Sequence, residues 1–140
     1  MDKFKIIRPV VLGIAKHDNK LLVSPGYDKI TGQTFYRCLG GGIEFLETSK
    51  EALKREYKEE LRIDIDVEDF CGIAENIFTF EGNKAHELVL FYNIKIKDCD
   101  FKEKYLVTED GDETEAYWVD IDEFKNNKKI LYPTEILKYL

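Results

Sequence analysis

Three consecutive glycines, Gly40-Gly41-Gly42, stand shortly before residues 48–61, a stretch with no glycine or proline that is rich in Glu, Lys, Leu and Ala. No other feature constrains the chain as much. A backbone able to take conformations closed to other residues leads into a helix that opens with Thr48 three residues before Glu51, the spacing of a capping box. On a helix turning about 100° per residue, with Glu56 at zero, Glu59 falls near -60° and Glu60 near +40°, so the three carboxylates share one arc. Leu53, Tyr57 and Leu61 lie at about 60°, 100° and 140° in the same frame, which puts the carboxylates on the border of the buried face. Like charges so spaced repel by a few tenths of a kcal/mol per pair, and partial burial raises the cost unless a cation compensates.

Taken alone, a Glu/Lys-rich helix more often shows a solvated charged face. Glu44 and Glu47 change that weighting, because they lie between the glycines and the helix and allow loop and helix oxygens to converge. Oxygen ligands select Mg²⁺, Mn²⁺ or Ca²⁺ over zinc, and Mg²⁺ is typically held by few carboxylates together with substrate phosphates. Cys38, Cys71 and Cys99 form no CxxC and are odd in number, which argues against a zinc site or a disulfide framework and for buried thiols.

The chain of 140 residues fits one domain spanning residues 1–140. Val10–Ala15 and Lys20–Ser24 read as strands of a hairpin around His17-Asp18-Asn19, followed by a loop over Pro25–Gln33 and a short strand at Thr34–Cys38 running into a glycine loop. Phe70–Phe80 and His86–Lys97 predict a second hairpin about Glu81-Gly82-Asn83. An acidic loop at Glu109–Glu113, a last strand at Ala116–Val119, a helical turn at Ile121–Phe124 and a final helix from Pro133 complete the reading. Strands around one long helix predict an α/β layered domain with a mixed sheet.

No apolar stretch approaches the roughly 18 residues of a membrane span, and the first eight residues lack the marks of an export signal, so a cytoplasmic setting without membrane partners is expected. Twenty-one basic against 28 acidic residues give a charge of -7, the wrong sign for tracking a long nucleic acid. A small anionic substrate is still admitted if metal cations offset the carboxylates.

The segment Gly41–Ile63, GGIEFLETSKEALKREYKEELRI, resembles the Nudix box: glycine, five residues, Glu, seven residues, Arg-Glu, an aliphatic, one residue, Glu-Glu, one residue, Gly, an aliphatic. Gly41, Glu47, Arg55, Glu56, Glu59, Glu60 and Ile63 match, while Tyr57 replaces the aliphatic and Arg62 the second glycine. Arg62 therefore either tolerates or avoids a left-handed cap, at about 1 kcal/mol for a non-glycine residue. The strand order around the box is similar to the Nudix α/β/α sandwich with its mixed sheet.

That resemblance implies a hydrolase that cleaves a phosphoanhydride in a nucleoside diphosphate linked to another group, by water attack with divalent metal assistance. It implies that Glu56, Glu59 and Glu60, with a carbonyl of Gly40 or Gly41, hold Mg²⁺, or Mn²⁺ in its place, and that Arg55 fixes Glu47 or Glu56. A general base is expected from the box glutamates or from the Glu109–Glu113 loop, where Asp112 and Glu113 are the favoured positions. Arg8 is a candidate phosphate contact and Phe35 and Tyr36 are candidate base-stacking groups, with edge charge and core packing as the competing readings; Glu87 could reach the metal site, with a solvent-exposed strand-end pair with His86 as its competing reading. Many relatives are homodimers, so a second copy joins the nucleotide substrate among expected partners. Two other functions on this fold are weighed: a non-catalytic nucleotide sensor, which usually has eroded carboxylates, and an allylic diphosphate isomerase, whose cysteine motif is not recognisable around Cys38 or Cys71.

Overall fold

A computed structural model describes residues 5–140, so the first residues of the export reading, 1–4, lie outside the described part. The apolar run at Val10 forms the middle of β1 (Ile7–His17). Val10, Leu12 and Ile14 are buried on one face of the sheet, and Val11 and Ala15 on the other. A strand covered on both faces needs no polar alternation, which is why this segment reads as unbroken apolar sequence.

β1 lies within a nine-stranded mixed sheet and runs parallel to β6 (Asn83–Ile96), from Ile7 opposite His86 to Ala15 opposite Ile94. Along its other edge it has two successive antiparallel neighbours. β4 (Gly40–Gly42) pairs at Val10 to Leu12, and β2 (Lys20–Tyr27) pairs at Lys16 and His17. The glycines expected in a loop are thus a short strand, bonded to β1 among the described strands.

Three hairpins close with two-residue turns whose positive φ values suit the strand twist: Asp18-Asn19, Glu81-Gly82 and Asp110-Gly111. The first two are the expected turns. The third joins β7 (Lys104–Glu109) to β8 (Asp112–Asp120), so the acidic loop contracts to a tight turn and its outer residues belong to strands. β7 was not expected, although Tyr105 and Val107 alternate with exposed neighbours. The expected Pro25–Gln33 loop also shortens, because β2 continues through Pro25 and Gly26 to pair with β3 (Thr34–Arg37). Beyond β3 lies β9 (Leu131–Tyr132), and β5 (Ile65–Phe80) forms the opposite edge.

The predicted helix is α1 (Ser49–Leu61). Thr48 caps it, accepting from the Glu51 N–H at 3.2 Å, while the Glu51 carboxylate accepts from the Thr48 N–H at 3.3 Å. Ala52, Leu53, Tyr57 and Leu61 bury against Val11, Ala15, Tyr92, Ile94, Tyr105 and Val107. Tyr57 fits because Gly13 faces it: a Cβ on Gly13 would lie 3.1 Å from the Tyr57 hydroxyl and 3.0 Å from Ile94 Cδ1. Arg62 does adopt the left-handed cap, with φ 61°, and its N–H donates to the Lys58 carbonyl at 3.1 Å.

The opposite face of the sheet is covered by the short α2 (Ile121–Lys125) and by 3₁₀ turns over Thr134–Tyr139, which bury Phe124 and Ile136. The final helix expected from Pro133 is therefore 3₁₀ in form. The α/β architecture with a mixed sheet stands as expected, with one long helix on one face and short helical pieces on the other. Of the thiols only Cys38 is buried, and burial pushes its pKa up to about 12; Cys71 is half-buried and Cys99 exposed. No described helix is long and apolar enough to cross a membrane.

Candidate active site

The change of neighbours along β1 leaves the glycine strand lying under the middle of α1. A Cβ on Gly41 would fall 2.5 Å from Glu56 Cδ, so the absence of a side chain there is what lets the Glu56 carboxylate lie against the strand. Gly40 is glycine for another reason: a Cβ there would meet the Val11 carbonyl oxygen at 2.0 Å.

Arg55 locks this junction with all of its N–H donors. Its Nε donates to Glu47 at 2.7 Å and its Nη2 to the other Glu47 oxygen at 3.0 Å, a bidentate pair. Nη2 also donates to the Gly42 carbonyl at 3.0 Å, while Nη1 donates to Glu56 at 2.9 Å and Glu59 at 3.2 Å. Hydrogen bonds from Arg55 hold the Glu47 carboxyl below its ordinary range. One guanidinium thus fixes the loop, the glycine strand and two helix carboxylates in a single geometry.

A groove of about 680 Å³ opens over this junction, lined by Arg8, Gly41, Gly42, Glu44, Arg55, Glu56, Glu59, Glu60 and the tip of the β7–β8 hairpin, Thr108 to Asp110. Glu60 is buried, and its carboxyl is pushed up to about 9, first by burial and then by the charges of Glu109 and Glu56. The Glu109 carboxyl is also raised, first by burial and then by Asp110 and Glu56, with Arg37 and Arg8 acting the other way. Carboxylates that disfavour each other's ionisation form a hard-oxygen wall suited to a divalent cation. Among the described residues, no three His, Cys, Asp or Glu side chains already enclose one point as a cage.

The structure brings together Arg8, Gly41, Arg55, Glu56, Glu59 and Glu60 in the groove, with Glu47 behind Arg55 and Gly40 at the back of the strand. It does not bring in Glu113, which is exposed on β8 opposite Thr108; Glu109 occupies the groove instead. The Asp110-Gly111 pair is the sequence signal that could have placed it, since a two-residue turn puts Glu109 at the strand end. Phe35 does not line the groove either. It packs against Phe80 and Tyr132, with ring centroids 6.0 and 5.6 Å apart, and fills the space over Gly26.

Glu87, expected to reach the metal site or to form an exposed strand-end pair, does not line the groove and is not exposed; it is buried and paired to Arg37 at 2.7 Å and Arg8 at 3.5 Å. A second groove of about 700 Å³ at the far end of β1 includes Lys16, His17, Lys95, Phe101 and Trp118 in its lining. Among the described residues two acidic ones line it, Glu68 and Asp98, and no row of carboxylates like that of the first groove.

The fold is an α/β one whose one long described helix lays an arginine-clamped row of carboxylates along a glycine strand. The family follows from the sequence match: the NUDIX domain model matches residues 7–138, and the chain belongs to that family. Among solved structures it is similar to a NUDIX hydrolase from Nitrosomonas europaea, with TM-score 0.67, 20% identity and coverage of 95% of this chain and 85% of that one. A MutT NUDIX hydrolase from Burkholderia pseudomallei gives TM-score 0.65 at 19% identity, covering 84% and 86%. An ADP-ribose pyrophosphatase from Streptococcus suis gives 0.61 at 13%, covering 95% and 88%. At these identities the likeness is one of fold. No curated protein matches the chain.

Proposed function

We propose that the protein is a Mg²⁺-dependent hydrolase that cleaves a phosphoanhydride bond in a nucleoside diphosphate linked to a further group. The observation that carries this reading is the Arg55 clamp, which spends five donors to hold Glu47, Glu56, Glu59 and the Gly42 carbonyl around one groove. Glu56, Glu59 and Glu60, with a carbonyl of Gly40 or Gly41, are the residues that would hold the ion. When bound, Mg²⁺ supplies polarisation of phosphoryl oxygens and a lowered pKa for water.

The chain's own residues supply the rest. Arg55 keeps Glu56 pressed against Gly41, which orders the groove before substrate arrives. Glu109, raised by burial and its acidic neighbours, takes the proton of the attacking water. The water oxygen bonds to phosphorus, the bridging phosphorus–oxygen bond breaks, and its electron pair leaves with the departing phosphate. Arg8 borders the groove and meets substrate charge.

The test is turnover of a panel of nucleoside triphosphates, dinucleotides, nucleotide sugars and ADP-ribose with and without Mg²⁺, alongside Mn²⁺ binding followed by electron paramagnetic resonance. Metal-dependent turnover of at least one member is expected, with Glu59→Gln and Glu60→Gln losing far more in kcat than in folded stability. Activity that survives both substitutions, or no turnover of any member, refutes the reading.

A further inference from the structure

Adjacent residues of β4 face opposite sides of the sheet. On the α1 side the space over Gly41 is taken by Glu56, whereas on the other side Gly42 faces Arg8, whose Nη2 lies 3.4 Å from where a Cβ would stand. The groove therefore wraps over a strand of glycine, with an acidic wall on one side and a guanidinium on the other.

Arg8 has a partner on that second side. The carboxylate of Glu87, only 4% exposed, accepts from Arg37 Nη2 at 2.7 Å through one oxygen and lies 3.5 Å from Arg8 Nη1 through the other. Two guanidiniums share one carboxylate, which leaves an excess positive charge beside a groove otherwise rich in acid. Arg37 Nε is buried and has no hydrogen-bond partner among the described residues, and a buried donor left unmade is costly unless a ligand or water completes it. Arg8 is half exposed and can move to meet a ligand, whereas Arg37 is held more tightly.

We propose that Arg8 and Arg37, positioned by Glu87, receive a phosphate group of the substrate beyond the scissile anhydride, so that the enzyme prefers substrates with three or more linked phosphates over nucleotide sugars. The inference rests on the hydrolase reading and sharpens its substrate class. Guanidinium forks match phosphate oxygens bidentately. A polyphosphate chain lying across the glycine strand meets the carboxylate wall at one end and Arg8 at the other, with Arg37 next to Arg8 at the shared Glu87 carboxylate. A nucleotide sugar sets a neutral ring against the arginines and leaves their charge without a partner.

The experiment compares KM and kcat for a nucleoside triphosphate and a nucleotide sugar in the wild type, Arg37→Gln, Arg37→Lys and Arg8→Gln. With the triphosphate, Arg37→Gln is expected to raise KM by about tenfold or more, as loss of a charged hydrogen bond implies, while KM for the sugar changes less than about twofold. Arg37→Lys is expected to recover part of the loss. Arg8→Gln, at a half-exposed position, keeps the test alive if Glu87 left without Arg37 prevents folding. An equal rise for both substrates, or no rise for the triphosphate, overturns the proposal. If the wild type hydrolyses nothing, the hydrolase reading fails and calorimetry with inorganic tripolyphosphate decides the inference: affinity about tenfold weaker in the Arg variants supports it, and equal affinity overturns it.

Discussion

Replacing each of the three glycines by alanine in turn separates fold from chemistry. At Gly41 the new Cβ would lie 2.5 Å from Glu56 Cδ and 2.7 Å from both of its oxygens, about 0.9 Å short of ordinary contact at 3.4 Å. The obstacle is the end of a flexible side chain, so the backbone need not move. Glu56 swings away and loosens its 2.9 Å bond from Arg55. The stability change is small, because alanine also restricts the unfolded chain by about 0.4–1 kcal/mol. A displacement of about 1 Å in a group that positions the reacting atoms is worth roughly 10²-fold in rate, so kcat is expected to fall by that order while the thermal midpoint moves only a few degrees.

The flanking glycines give the contrasts. Gly42→Ala meets Arg8 Nη2 at 3.4 Å and Pro9 O at 3.9 Å, ordinary contacts, and is expected to fold with a thermal midpoint near that of the wild type. Gly40→Ala meets the Val11 carbonyl oxygen at 2.0 Å, a backbone atom that cannot step aside, and is expected to unfold the domain or cost more than about 3 kcal/mol. Circular dichroism melts and steady-state turnover of the three variants provide the comparison. Wild-type turnover by Gly41→Ala would refute the role assigned to the Glu56 position.

Three further outcomes follow from the same contacts. Glu109→Gln is expected to lower kcat by about 10²–10⁴-fold, the range of a lost general base, whereas Glu113→Gln, outside the groove, leaves it unchanged; equal effects in initial-rate assays would contradict the assignment. Glu47, held below its ordinary 4.5 by Arg55, contributes stability that is complete above pH 4.5 and is lost as pH falls through its lower folded pKa, so denaturant midpoints of Arg55→Gln are expected to show a shallower acid-side decline than the wild type. Gly13→Ala is expected to lower the melting temperature through contacts of 3.0–3.2 Å with Ile94 and Tyr57, and Tyr57→Leu in the same chain to return part of the loss; additive losses in a double-mutant cycle would show that the two sites are uncoupled.

Much of the site was legible in the chain because its signals are local. The capping box, the i,i+3 and i,i+4 carboxylates and the glycines lie within 23 consecutive residues, where helix geometry alone brings side chains onto one arc. Tyr57 in place of an aliphatic looked like a local misfit and is accommodated by Gly13, a partner 44 residues away. The acidic segment before β8 is legible in the chain, but which of its ends lines the groove is not, since the distinction between Glu109 and Glu113 depends on a two-residue turn and on which strand end meets α1.

By itself, then, the sequence determined the helix, its cap, its carboxylate row and the α/β class, all of which follow from spacing along a regular backbone. Tertiary structure alone decided that the glycines form a strand, that Glu109 enters the groove while Phe35 packs against Phe80 and Tyr132, and that Arg37 meets Arg8 at Glu87. Arg8, Arg37 and Glu87 come from three different strands, and the Arg37–Glu87 contact spans 50 residues. No periodicity within a segment records such a meeting, because it is fixed by strand order and by which face of the sheet each residue occupies.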